Sequence, residues 1–175
     1  MRRLIPAIAV STASLLIPGC ENQTAVGPPA VLLGDSVCRQ CNMILSDERW
    51  ATAMIVEGPR GPEPRLFDDF NCQVNYEVEN PELVVLARWS HSYATRRWIH
   101  TEEAGFLLSP NLRTPMGSQV AAFASPSELE NAKAELAGEA MTFDVAWNRL
   151  GFTGVGRNIE ETDPEHPEQE RNDGP

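Results

Sequence analysis

The sequence predicts an α+β fold with antiparallel sheets, built from two ββαβ units behind a lipoprotein signal and a tether. Three observations predict it. Short apolar runs and helix-forming stretches recur in the order strand, strand, helix, strand, twice over. Gly58-Pro59-Arg60-Gly61-Pro62 breaks the chain sharply between the first two apolar runs. Ser125-Pro126-Ser127-Glu128 carries a helix start, with Ser125 as N-cap, Pro126 in the first turn and Glu128 as capping-box partner. The two halves share no recognisable sequence, so the repeat is one of pattern only.

Residues 1–19 read as a signal peptide. Arg2 and Arg3 precede a mostly apolar stretch from Leu4 to Ile17, interrupted by Pro6, Ser11, Thr12 and Ser14 and too short for a membrane span. The stretch ends Leu16-Ile17-Pro18-Gly19-Cys20, which resembles a bacterial lipobox with Cys20 as the lipidated first residue of the mature chain. Lipidation there would attach several acyl chains, enough for stable anchoring. The alternative is an ordinary cleaved signal with a free Cys20. Residues 20–34, with Gly27-Pro28-Pro29, form a tether.

The folded domain is expected over residues 35–157, with units at about 48–90 and 95–150. In the first unit, Trp50 to Glu57 reads as a strand and Arg65 to Asp68 as a short second strand. Asp68 or Asp69 caps a helix through about Glu77, Asn80-Pro81 stops it, and Leu83 to Ala87 is a buried strand. In the second unit, Trp98 and Ile99 mark an opening strand within Arg96 to His100, and Ser118 to Ala124 forms the next. The capped helix carries Leu129, Ala132 and Leu136 and ends near Gly138. Ala140 to Phe143 is the closing strand, and Asp144 to Leu150 adds a short terminal helix. Residues 158–175 hold seven carboxylates against one Arg171, with three prolines, and read as a disordered acidic tail.

The formal net charge is −11 and no basic cluster remains in the mature chain beyond Arg96-Arg97, which disfavours nucleic-acid binding. There is no Gly-x-Ser-x-Gly, no His-Glu-x-x-His and no phosphate-binding glycine loop.

The chemistry concentrates in Cys38-Arg39-Gln40-Cys41-Asn42-Met43, which places two thiols and a thioether within six residues. Soft donors of this kind select soft ions such as Cu(I). A dithiol redox pair would need a thiol at a helix N-terminus, directly after a buried strand, and neither element is predicted around Cys38. A zinc site would need a second ligand pair, and Cys72, His91, His100 and His166 form none. A disulfide between Cys38 and Cys41 would close a very small loop. With Cys20 lipidated, three cysteines remain, so at least one thiol is free or bound to something. Met116, in Pro115-Met116-Gly117, lacks the apolar periodicity of a core methionine and is a second candidate thioether ligand. Cys72 reads as a buried core thiol. His91 and His100 are candidate nitrogen donors, although edge-of-core histidine is the commoner role.

The lipobox, Cys-x-x-Cys-x-Met near the mature N-terminus, Leu66-Phe67-Asp68-Asp69, Pro115-Met116-Gly117 and a helix opened by Phe123-Ala124-Ser125 together resemble the NosL-type accessory lipoproteins of nitrous oxide reductase. The resemblance spans residues 38–145. It implies two related ββαβ units and a periplasm-facing protein, lipid-anchored to the cell membrane or the outer membrane. It further implies binding and delivery of Cu(I), with nitrous oxide reductase and its membrane maturation transporter as partners. The family's Cys-Gly-Met falls on Cys41-Asn42-Met43, with Asn42 replacing the usual glycine, and its downstream methionine falls on Met116. Cys38 matches the first cysteine. The expected site is therefore Cys38, Cys41, Met43 and Met116, with no catalytic residue. The competing readings are a thiol-disulfide oxidoreductase using Cys38 and Cys41, and a structural lipoprotein.

Overall fold

The computed structural model describes residues 26–156, and side chains as far as Gly151. The expected signal peptide with Cys20, the first part of the expected tether and the expected acidic tail with His166 lie outside the described residues.

The first unit begins with β1 (Thr52–Gly58), whose Thr-Ala-Met-Ile-Val run is buried at every position. Such a run suits a strand covered on both faces. β1 indeed lies inside a four-stranded sheet of order β2-β1-β3-β4, with all pairings antiparallel. Met54 and Val56 enter one apolar cluster, Ala53 and Ile55 another on the opposite face. β2 (Gly61–Phe67) is longer than expected. Pro62 and Pro64 argue against a strand in the sequence, but an edge position tolerates them because one side of the strand needs no donors.

Asp69 caps α1 (Phe70–Glu79), its carboxylate accepting from the Phe70 amide at 2.7 Å. β3 (Val85–His91) continues beyond the expected Leu83 to Ala87, so His91 lies in a strand and not in a connecting loop. β4 (Trp98–His100) corrects a second expectation. It does not open the second unit but pairs with β3 and completes the first sheet. The physical reason is a tight reversal: Ser92 donates to the Arg97 carbonyl at 2.9 Å, with Arg96 at φ 55°. The pairing sets Trp89 opposite His100 and His91 opposite Trp98, with ring centroids 3.9 Å and 3.7 Å apart.

The second unit opens instead with β5 (Gly105–Leu108), a four-residue strand that the sequence reading missed. It lies at the centre of a β6-β5-β7 sheet, flanked by β6 (Val120–Phe123) and β7 (Glu139–Met141), again antiparallel throughout. α2 (Pro126–Leu136) has the expected Ser125 cap, the Glu128 amide donating to Ser125 Oγ at 3.3 Å; the Glu128 carboxylate accepts not from the Ser125 amide, as in a capping box, but from the Ala124 amide before it at 3.0 Å. α3 (Phe143–Gly156) is twice the length expected and packs against α1. The units share a core in which Phe70 and Val74 of α1 meet Phe106, Val120, Ala122, Met141, Ala146 and Leu150.

Gly138, between α2 and β7, has φ 152°, and a Cβ there would sit 2.3 Å from the Leu108 carbonyl oxygen. Gly138→Ala is therefore expected to cost about 1–3 kcal/mol of folding stability. Urea unfolding would measure it; a variant as stable as wild type would show that the α2–β7 connection relaxes freely.

Candidate metal centre

The Cys38–Met43 loop is closed by backbone hydrogen bonding. A Val37–Ile44 bridge brackets it, the Cys38 amide donates to the Met43 carbonyl at 2.8 Å, and the Asn42 amide donates to the Cys38 carbonyl at 3.0 Å. The turn needs a left-handed residue, and Asn42 supplies it at φ 60°. The Arg39 amide donates to the Leu66 carbonyl at 2.8 Å, fastening the loop to the end of β2. Gln40 Nε2 donates to Glu79 Oε2 at 3.0 Å, fastening it to α1.

These restraints turn Cys38 inward, where it is 0% exposed, towards Cys72 on the first turn of α1, 3% exposed. Cys41 is half-buried at the mouth. The three sulfur atoms lie within 4.8 Å of one another, and all three thiols are free. With metal–thiolate bonds of about 2.3 Å, as in zinc sites, one ion spans sulfurs up to about 4.6 Å apart. The cluster is close to that spacing.

Cys72 is the buried core thiol that the sequence leads one to expect, and the structure adds that it is the third member of the cluster. Its placement depends on which face of α1 meets the Cys38 loop, a contact across 34 residues of sequence that no local motif announces. The odd number of thiols was the one available signal.

The Cys38 thiol is held down at about 5, chiefly by the hydrogen bond from Cys72 and also by the backbone of Cys41, Asp68 and Gln40, which together outweigh its burial. Burial pushes the Cys41 thiol up. Donation to Cys38, together with burial, pushes Cys72 up. Cys38 is thus the most acidic of the three thiols, and it is the innermost. Next to it, burial first and the Cys38 charge second push the Asp68 carboxyl up to about 6. Asp68 Oδ1 is buried and has no hydrogen-bond partner among the described residues.

This electrostatic order bears on redox chemistry. A dithiol oxidoreductase needs a low-pKa thiolate that a substrate can reach. Here the most acidic thiol, Cys38, is fully buried, and the reachable one, Cys41, is pushed the other way.

Met43 is 56% exposed on the loop and Met116 is 39% exposed. Met116 belongs to a turn held against the start of α1: its amide donates to Asp69 Oδ2 at 2.9 Å and its carbonyl accepts from Asn71 Nδ2 at 2.6 Å. The histidines are not in the cluster. His91 Nδ1 donates to the Ala51 carbonyl at 2.9 Å, its ring stacks on Trp98, and Nε2 faces Glu48 Oε1 at 3.8 Å. His100 stacks on Trp89.

The sequence matches the NosL family over residues 29–147. The chain belongs to the NosL family. The crystal structure described as the copper chaperone NosL from Shewanella denitrificans is similar in fold, with a TM-score of 0.55 and 15% identity, over 67% of this chain and 93% of that one. No curated protein is recognisably similar in sequence. The α+β architecture with antiparallel sheets read from the sequence is therefore that of a NosL protein. Within this NosL chain, the left-handed Asn42 occupies the position at which the resemblance places glycine.

His91 gives a pH prediction. Burial pushes its pKa below the ordinary value near 6.5. The unfolded chain then binds more protons, so stability is fully present above about pH 6.5 and is lost as pH falls through the folded value. Chemical unfolding at about pH 7.5 and about pH 5 should show wild type losing more stability between the two than His91→Phe, which keeps a ring on Trp98 but cannot titrate. Equal losses in both proteins would assign the pH dependence to other groups.

Proposed function

We propose that this protein is a Cu(I) carrier, not an enzyme, that takes up the ion at Cys38, Cys41 and Cys72. It then hands the ion on for assembly of the copper centres of nitrous oxide reductase. The observation that carries this reading is the trio of free sulfurs within 4.8 Å, graded from fully buried to half-exposed. Three soft donors without a hard ligand among them suit a monovalent soft ion. The similar fold of a protein described as a copper chaperone supports the same cargo.

The grading suits transfer. Cys38 is the most acidic of the three thiols and so the one most readily ionised towards a cation, and Cys41 at the mouth is the sulfur an incoming ligand reaches first. Met43 and Met116 are thioether donors for the open side. They bind more weakly than thiolates, so a partner's thiolate or imidazole can replace them stepwise. On this reading Cys20 carries the lipid, the domain faces the periplasm from the cell membrane or the outer membrane, and the partners are the reductase and its membrane maturation transporter.

Anaerobic titration of the reduced protein with Cu(I), in competition with a chromogenic chelator, tests the cargo. One ion per chain is expected. Cys41→Ser and Cys72→Ser should each lose more than the roughly 10- to 100-fold typical of an outer-shell partner. Fully reduced wild type that fails to bind would sink the carrier reading. Wild-type affinity in Cys72→Ser would return that residue to a packing role. In cells, loss of the protein should yield copper-poor nitrous oxide reductase, restored by wild type and not by Cys41→Ser.

A further inference from the structure

We infer that Asp69 and Asn71 are positioning residues: they clamp the backbone of Met116 so that its thioether is presented to the thiol cluster as the exchangeable ligand. The inference rests on the Cu(I) reading above and deepens it. Asp69 is 0% exposed and accepts five hydrogen bonds, all from neutral donors. A helix N-cap needs one or two such bonds within its own helix. Here only the Phe70 amide belongs to α1. The other four donors come from a single turn of the second unit: Thr114 Oγ1 at 2.8 Å, the Met116 amide at 2.9 Å, the Ser118 amide at 3.2 Å and Ser118 Oγ. Asn71 then takes the Met116 carbonyl at 2.6 Å. Both polar groups of the Met116 backbone therefore end on α1, on the two residues either side of Phe70, and Cys72 follows immediately.

Packing does not account for this effort. Met116 is 39% exposed and belongs to none of the apolar clusters among the described residues. Gly117 beside it, at φ 73°, has open space where a side chain would be. A fixed backbone carrying an unpacked methionine, with three rotatable side-chain bonds, is what an arm that must reach a metal and let go of it requires. Since the start of α1 carries the clamp and Cys72 together, the Met116 backbone is tied to the same helix turn as the thiol.

Asn71→Ala removes one jaw and leaves the Asp69 cap in place, so it is the primary variant; Asp69→Asn is the second. In the reduced full chain, Cu(I) affinity by chelator competition should fall roughly 10- to 100-fold in Asn71→Ala. X-ray absorption of the Cu(I)-loaded protein should show the loss of one sulfur, as in Met116→Ala. The decisive arm is the double variant: Asn71→Ala should cost nothing further when Met116 is already alanine. Additive losses would overturn the clamp, since Asn71 would then act on the cluster through Cys72. Wild-type affinity and sulfur count in Asn71→Ala would overturn it as well. If Met116→Ala binds like wild type while Cys41→Ser does not, the carrier reading stands and the clamp falls. If Cys41→Ser binds like wild type, both fall.

Discussion

Helix α1 is buried on two opposite faces, and the arrangement of both units follows from that. Phe70 and Val74, four residues apart, lie on one side and enter the core shared with the second sheet and α3. Cys72 and Tyr76, offset by two residues, lie on the other side and pack with Met54, Val56 and Phe67 of the first sheet. A helix seated between two sheets cannot rotate to optimise one contact without losing the other. Full burial of Phe70 alone is worth roughly 1.5–3 kcal/mol, so its register is well determined. The position of the Cys72 sulfur is thereby set by packing some distance from any ligand.

The same helix start shows how one position in the repeat serves two purposes. In α2 the third residue after the N-cap is Glu128, whose carboxylate returns to the Ala124 amide. In α1 the equivalent position is Cys72, three after Asp69. A carboxylate there would put a second negative charge beside Cys38. A thiol instead donates to Cys38 and helps keep that sulfur ionised. Burying a charged sulfur is costly, and hydrogen bonds to the charged form offset that cost. The neighbouring Asp68 carboxyl is held up at about 6, by its burial first and by Cys38 second. Asp69, adjacent in sequence, meets five donors. Two neighbouring aspartates thus have different environments, one with a buried oxygen unpaired among the described residues and one whose carboxylate is saturated.

Local chemistry was legible in the sequence and long-range geometry was not. The Ser125 cap, the Asp68 or Asp69 cap, which falls on Asp69, and the Asn80-Pro81 stop are each contained within a few residues, and the structure has them there. β5 was missed because Gly105-Phe106-Leu107-Leu108 is short, with no alternation to mark it. β4 was assigned to the wrong unit because Trp98 and Ile99 look like any strand, and only the reversal at Ser92–Arg97 decides its partner. At the site, the Cys38–Met43 loop was evident because its donors are adjacent. Cys72 was not, because its relation to Cys38 exists only once α1 has docked. The histidines drew attention by type alone, and their cross-strand stacking on Trp89 and Trp98 explains them without a metal.

The burial gradient across the cluster gives the proposed transfer a direction. A partner approaching from solvent meets Met43 and the half-buried Cys41 before it can reach Cys38 or Cys72. The outer donors are those least committed to the ion: a thioether carries no charge, and burial keeps Cys41 protonated in the metal-free state. Cys38, fully buried, is the sulfur a partner reaches last and so the last to give the ion up. Entry and exit then occur through the same mouth, with the exposed sulfurs exchanging first. A site of four equally buried thiolates would offer a partner no such foothold. The mixed burial of this cluster is therefore better suited to passing an ion on than to keeping one.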